Sequence, residues 1–158
     1  MVESLAVIGE KAGFNVHVDL SKWRKDTFAN IPQEKVKDVK AIDVRWFTKT
    51  DITHEFEVGN TAGGQSAIIR GSNIPNGKVK RFIVIPEERQ ETLYGKINVP
   101  ALKERVQTEN WRFIFYDELK TFFHSIKRTR KISLEEFEKI AKTPKKTVET
   151  LDVFNSRT

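Results

Sequence analysis

The stretch AIDVRWFTKTDITHEFEVGNTAGGQSAIIR, residues 41–70, decides the fold. In AIDVRWF (41–47), Ile42, Val44 and Trp46 alternate with Asp43, Arg45 and Phe47. In HEFEVG (54–59), Phe56 and Val58 alternate with Glu55, Glu57 and Gly59. Side chains on a strand alternate between faces, so this pattern predicts two strands joined as a hairpin through the polar link TKTDIT (48–53). Each strand carries an acid inside an apolar pattern, which is costly to bury unless water, a metal or a partner meets it. Adjacent strands put Asp43 and Glu57 on the same side. Two close carboxylates repel, and a divalent cation is the usual way to hold both ionised. Acids on the solvated face of an ordinary hairpin are the alternative reading of the same spacing.

Working outward towards the N-terminus, residues 2–12 place Leu5, Ala6, Ile8 and Ala12 near helical spacing, with Gly13 as the stop. Glu3 lies in the first turn of that helix, where the dipole favours an acid. Residues 14–20 alternate as a strand, with His17 read as a surface or hydrogen-bonded histidine. Residues 21–39 form a polar connection containing Trp23-Arg24-Lys25, a stretch able to touch nucleic acid, and a short helix is expected over 33–39. Because the chain starts almost inside a helix, it reads as a domain cut from a longer protein.

Working outward towards the C-terminus, Asn60-Thr61-Ala62-Gly63-Gly64 leads into a helix over 65–74. Its first turn falls beside the two acids, so Gln65 and Arg70 are candidates to meet a phosphate there. A salt bridge to a strand acid is the plainer role for Arg70. No Gly-Lys-Ser/Thr follows the glycines, which excludes a Walker-type NTPase. A turn at 75–77 precedes the strand RFIVI (81–85), apolar enough to be covered on both faces. Helices over 87–96 and 99–106, a strand over 111–116 and a helix from Asp117 to Ile126 follow. Lys127-Arg128-Thr129-Arg130-Lys131 is a dense basic segment between two helices. Ser133-Leu134-Glu135-Glu136 has the spacing of a capping box. Residues 1–142 read as one domain and 143–158 as a tail.

The chain has 158 residues, enough for one domain with a real core, and 38% hydrophobic content supports a globular fold. It lacks cysteine, which excludes disulfides and thiolate metal sites and fits a reducing cytoplasm. No apolar run reaches the length of a membrane span. The net charge is +6. Residues 119–158 hold ten Lys/Arg against five Asp/Glu, so most of the excess sits in the last quarter. Such a patch attracts phosphate backbones through counterion release, although a solvated lysine-rich tail has the same composition.

Five short motifs, in order, resemble the PD-(D/E)XK nuclease superfamily, and within it a restriction-endonuclease-like group. They are Ile42-Asp43-Val44-Arg45-Trp46-Phe47, Phe56-Glu57-Val58-Gly59 with Thr61, Ser66-Ala67-Ile68-Ile69-Arg70, Val84-Ile85-Pro86-Glu87-Glu88-Arg89, and Arg112-Phe113-Ile114-Phe115-Tyr116-Asp117-Glu118-Leu119. The resemblance spans roughly residues 3–123. It implies an α/β sandwich with a central mixed five-stranded sheet flanked by helices. The first three strands would form an antiparallel meander, and helical crossovers would join the last two. It also implies a Mg²⁺-dependent DNA endonuclease. Asp43 and Glu57 would be the metal ligands, Glu3 or Glu55 a further one, and Gln65 would lie at the catalytic centre. The family pattern places Lys or Glu two residues after the catalytic acid. Here that position is Gly59, so the site works without the charge, a neighbour supplies it, or the chain is an inactive variant. Glu55-Phe56-Glu57 offers a second register as an acid pair on one face.

These readings lead to double-stranded DNA as partner, with Arg24, Arg70, Lys127, Arg128, Arg130 and Lys131 as candidate contacts. Cutting both strands calls for two active sites, which favours a homodimer or a partner domain. A non-catalytic DNA-binding module and a protein-interaction domain are the competing readings.

Overall fold

The computed structural model describes residues 1–18, 43–49, 51–59, 68 and 78–144. The order of elements is α1 (Val2–Lys11), β1 (Asn15–Val18), β2 (Val44–Thr48), β3 (Asp51–Val58), β4 (Lys80–Ile85), α2 (Gln90–Ile97), α3 (Pro100–Thr108), β5 (Arg112–Phe115), α4 (Tyr116–Ser125) and α5 (Leu134–Glu138). A 3-10 turn at Glu87–Arg89 leads into α2. The strands form one five-stranded sheet in sequence order. β1–β2 and β2–β3 pair antiparallel, whereas β3–β4 and β4–β5 pair parallel. Antiparallel neighbours need only tight turns; parallel ones need a crossover, which α2 and α3 supply between β4 and β5. The result is an α/β sandwich of the restriction-endonuclease-like kind that the sequence motifs imply.

Alternation sorts the strand residues into two cores. Val44, Trp46, Phe56, Phe82, Val84 and Ile114 share the face packed by Leu5 and Ile8 of α1, Leu119 of α4 and Phe137 of α5. Ile83, Ile85, Phe113 and Phe115 share the other face, under Leu93 and Ile97 of α2, Leu102 of α3 and Ile68. β4 is buried from Arg81 to Ile85, as its near-continuous apolar run requires in the middle of a sheet. Close approach fixes α1. A Cβ on Gly9 would clash with the Trp46 indole at Nε1, and that indole N–H donates to the Leu5 carbonyl at 3.0 Å.

The structure adjusts several expectations. β3 begins at Asp51, so most of the polar link belongs to the hairpin; the turn is at Lys49 (φ 51°), and a register shift between Trp46 and Phe47 absorbs the offset. His17 is not a surface residue, being 4% exposed. Ser133 precedes α5 but makes no side-chain cap bond, so the box spacing forms no box. The helices expected over 33–39 and 65–74 lie outside the described residues, except for helical, buried Ile68. The turn at 75–77 and the tail after Pro144 also lie outside them. Among the described residues no helix is long and apolar enough to cross a membrane.

Candidate nuclease site

The ladder between β2 and β3 pairs Val44 with Phe56 and Arg45 with Glu55. One step further along the same register, Asp43 stands opposite Glu57 at the end of the sheet. Asp43 immediately precedes β2, and its carboxylate meets the β3 backbone: Val58 N–H donates to Oδ2 at 2.8 Å. Glu57 is 8% exposed. One Asp43 oxygen thus has a structural role at the end of the hairpin.

Next to this pair runs a transverse row of buried polar side chains. His17 pairs with Arg45, Arg45 with Glu55, and Glu55 with Arg81, one residue from each of four adjacent strands. Arg45 is wholly buried, and Glu55 and Arg81 are 1% and 4% exposed. Arg81 Nε lies 2.9 Å from Glu55 Oε1, but the pair lacks hydrogen-bond alignment and Glu55 Oε2 has no hydrogen-bond partner. Burial pushes the Glu55 carboxyl up to about 8; Arg81 pulls it back and the Glu57 charge adds to the rise. Buried charge in such density is expensive and marks candidate functional sites. The sequence reading did not single out Arg45 or Arg81. The signal was present in Arg45, two residues from Asp43 on the same strand face.

β3, β4 and β5 are parallel, so their C-terminal ends meet at the Asp43 end of the sheet. Tyr116, the first residue of α4, packs there on the core that includes Val58 and Val44. Burial raises its phenol pKa, and the Asp43 charge raises it further. α1 packs along β1, which ends beside Val44, so the first turn of α1 reaches the same end of the sheet. Glu3 is exposed in that turn. Its helix covers the Val44–Trp46 face, opposite the face carrying Glu55 and Glu57.

Gly59 follows β3 with φ 124°, its N–H donating to the Val84 carbonyl at 3.0 Å. L side chains rarely adopt that conformation, so glycine meets a backbone requirement at this position. Gln65, Arg70 and Arg24 lie outside the described residues. Lys127, Arg128, Arg130 and Lys131 are exposed and stand at the other end of the sheet, beyond the C-terminus of α4. Among the described residues no group of three or more His, Cys, Asp or Glu side chains comes together as a metal site.

No curated protein and no solved structure matches the chain. Residues 5–143 match the model of the family described as the type II restriction enzyme NmeDI C-terminal domain, and the chain belongs to that family.

Proposed function

We propose that this domain hydrolyses phosphodiester bonds of double-stranded DNA with Mg²⁺, as a PD-(D/E)XK-type restriction endonuclease. The observation that carries this reading is the β2–β3 register, which continued one step beyond Val44–Phe56 sets Asp43 against Glu57, together with the Val58 N–H bond to the Asp43 carboxylate. Family membership supports a restriction-related role for the chain.

The donor set suits Mg²⁺. That ion binds through one or two carboxylates and keeps several waters, so two acids suffice where a transition-metal site would want more side chains. Asp43 and Glu57 would hold it; Glu3 and Glu55 do not join them in a three-acid group, so water and phosphate oxygens would complete the shell. When bound, the ion would polarise the scissile phosphate and lower the pKa of an attacking water. The chain's own contribution is positional. Val58 N–H fixes one Asp43 oxygen. Arg45 and Arg81 place fixed positive charge beside the acids on the same face.

The test is cleavage of plasmid DNA with Mg²⁺ by the parent, Asp43→Asn and Glu57→Gln. Mg²⁺-dependent nicking by the parent, falling at least ~100-fold in each variant, is the expected result. Equal nicking by all three would remove the acids from the mechanism. A second reading, a DNA-binding module without cleavage, is favoured by Gly59, where the family pattern has a charge. It predicts that the parent binds duplex in a salt-dependent way and never nicks it.

A further inference from the structure

The two ends of the sheet differ in charge. The end with Asp43 and Glu57 continues into acids after β4 (Glu87, Glu88) and after β5 (Asp117, Glu118). The far end gathers the β2–β3 turn and the C-terminal ends of α1 and α4. It presents Lys49, Lys127, Arg128, Arg130 and Lys131, all exposed, against Glu10, Asp51 and the exposed Glu135 and Glu136 of α5, while Glu138 is paired with Lys80. Glu57 lies six residue steps along β3 from Asp51, about 20 Å at ~3.3 Å per residue. That is more than twice the screening length of about 8 Å in physiological salt, so the two ends act independently on a charged ligand.

The basic segment is anchored. Lys11 Nζ donates to the Ile126 carbonyl at 2.8 Å and to the Lys127 carbonyl at 3.1 Å. Ile132 N–H donates to the Lys11 carbonyl at 3.1 Å, and Thr129 N–H to the Ile126 carbonyl at 2.9 Å. The Lys127 ammonium sits 5.9 Å from the centre of the Phe123 ring. Both ends of the segment are tied to α1, so less order has to be imposed on its charges when a ligand binds.

We propose that this far end is a docking surface for the phosphate backbone of duplex DNA, separate from the carboxylate site and independent of metal. It rests on the reading of DNA as partner, but not on cleavage. Lysine and arginine held on a loop in this way position a duplex without reading its bases.

The experiment is fluorescence anisotropy with two labelled duplexes of unrelated sequence, in EDTA, across a salt series. It compares the parent, Asp43→Asn/Glu57→Gln, and Lys127, Arg128, Arg130 and Lys131 all replaced by Ala, with an all-Gln version beside it. The parent should bind both duplexes alike, and the carboxylate variant should show no loss of affinity, since it removes no cation from either surface. The fourfold variants should lose at least tenfold in affinity, and the slope of log affinity against log salt should flatten by about 3–4. Their melting temperature should stay close to the parent's, because exposed charges contribute little to stability. Fourfold variants with parental affinity and slope would overturn the proposal. So would an equal loss in the carboxylate variant, or a parent that does not bind in EDTA. None of these outcomes bears on Mg²⁺-dependent nicking, which tests the carboxylate site by itself.

Discussion

Val58 N–H donates to the Asp43 carboxylate at 2.8 Å, so the residue proposed above as a metal ligand also ties down the end of β3. An Asn side-chain oxygen can accept the same bond, but it brings no charge. Asp43→Asn should therefore melt near the parent and lose any Mg²⁺- or Ca²⁺-induced rise in melting temperature. Asp43→Ala should in addition lose about 1–2 kcal/mol, the cost of an unmet amide. Equal destabilisation by both variants in urea titrations would show that the bond has no structural role.

Arg81 and Glu55 are buried together 2.9 Å apart. Arg81→Met removes the nearest donor from a buried carboxyl that is already pushed up to about 8, and should cost about 1–3 kcal/mol, whereas Arg81→Met with Glu55→Leu should recover most of the loss. A double-mutant cycle in urea measures the coupling. Additive losses would mean that the two side chains do not sense each other.

Gly9 faces the Trp46 indole with no room for a methyl group. Gly9→Ala should destabilise the fold by about 1–3 kcal/mol, through overpacking and loss of the Trp46–Leu5 bond. A melting temperature equal to the parent's would contradict the close approach of α1.

Gly59 differs: a Cβ there meets nothing within 4 Å, and the difficulty is its φ of 124°. Gly59→Ala and Gly59→Lys should therefore cost about the same, 1–3 kcal/mol, because the strain belongs to the backbone. A much larger loss for Lys than for Ala in denaturant titrations would point to the side chain instead.

His54 is 3% exposed and stacks among Phe14, Trp46, Phe56 and Phe82. Burial lowers its pKa to about 4; Lys80 lowers it further and Glu138 opposes the change. The unfolded chain therefore binds the proton more readily between about pH 6.5 and 4. Stability should fall as pH drops through that window, by roughly 3 kcal/mol, since each pH unit between the folded and unfolded values is worth about 1.4 kcal/mol. His54→Phe should remove this part of the pH slope. An unchanged slope would assign the acid sensitivity to other groups.

The alternation of residues 41–59 already contained the hairpin and the apolar face that meets α1, because strand periodicity acts on neighbours along the chain. Near-continuous apolar character likewise marked β4 as central, and Gly13 marked the end of α1. Three things depended on tertiary structure. The row from His17 through Arg45 and Glu55 to Arg81 joins residues from four strands, which register alone brings side by side. The glycine at 59 reads as a missing charge in the sequence, and only the path of the backbone out of β3 shows it to be a conformational requirement. The basic segment is local in sequence, yet its distance from Asp43 is set by the lengths of α4 and β3, and its anchoring by Lys11 is a contact across 115 residues of sequence. Local patterning specifies which elements form and which face each buries; which charges meet depends on how those elements are assembled.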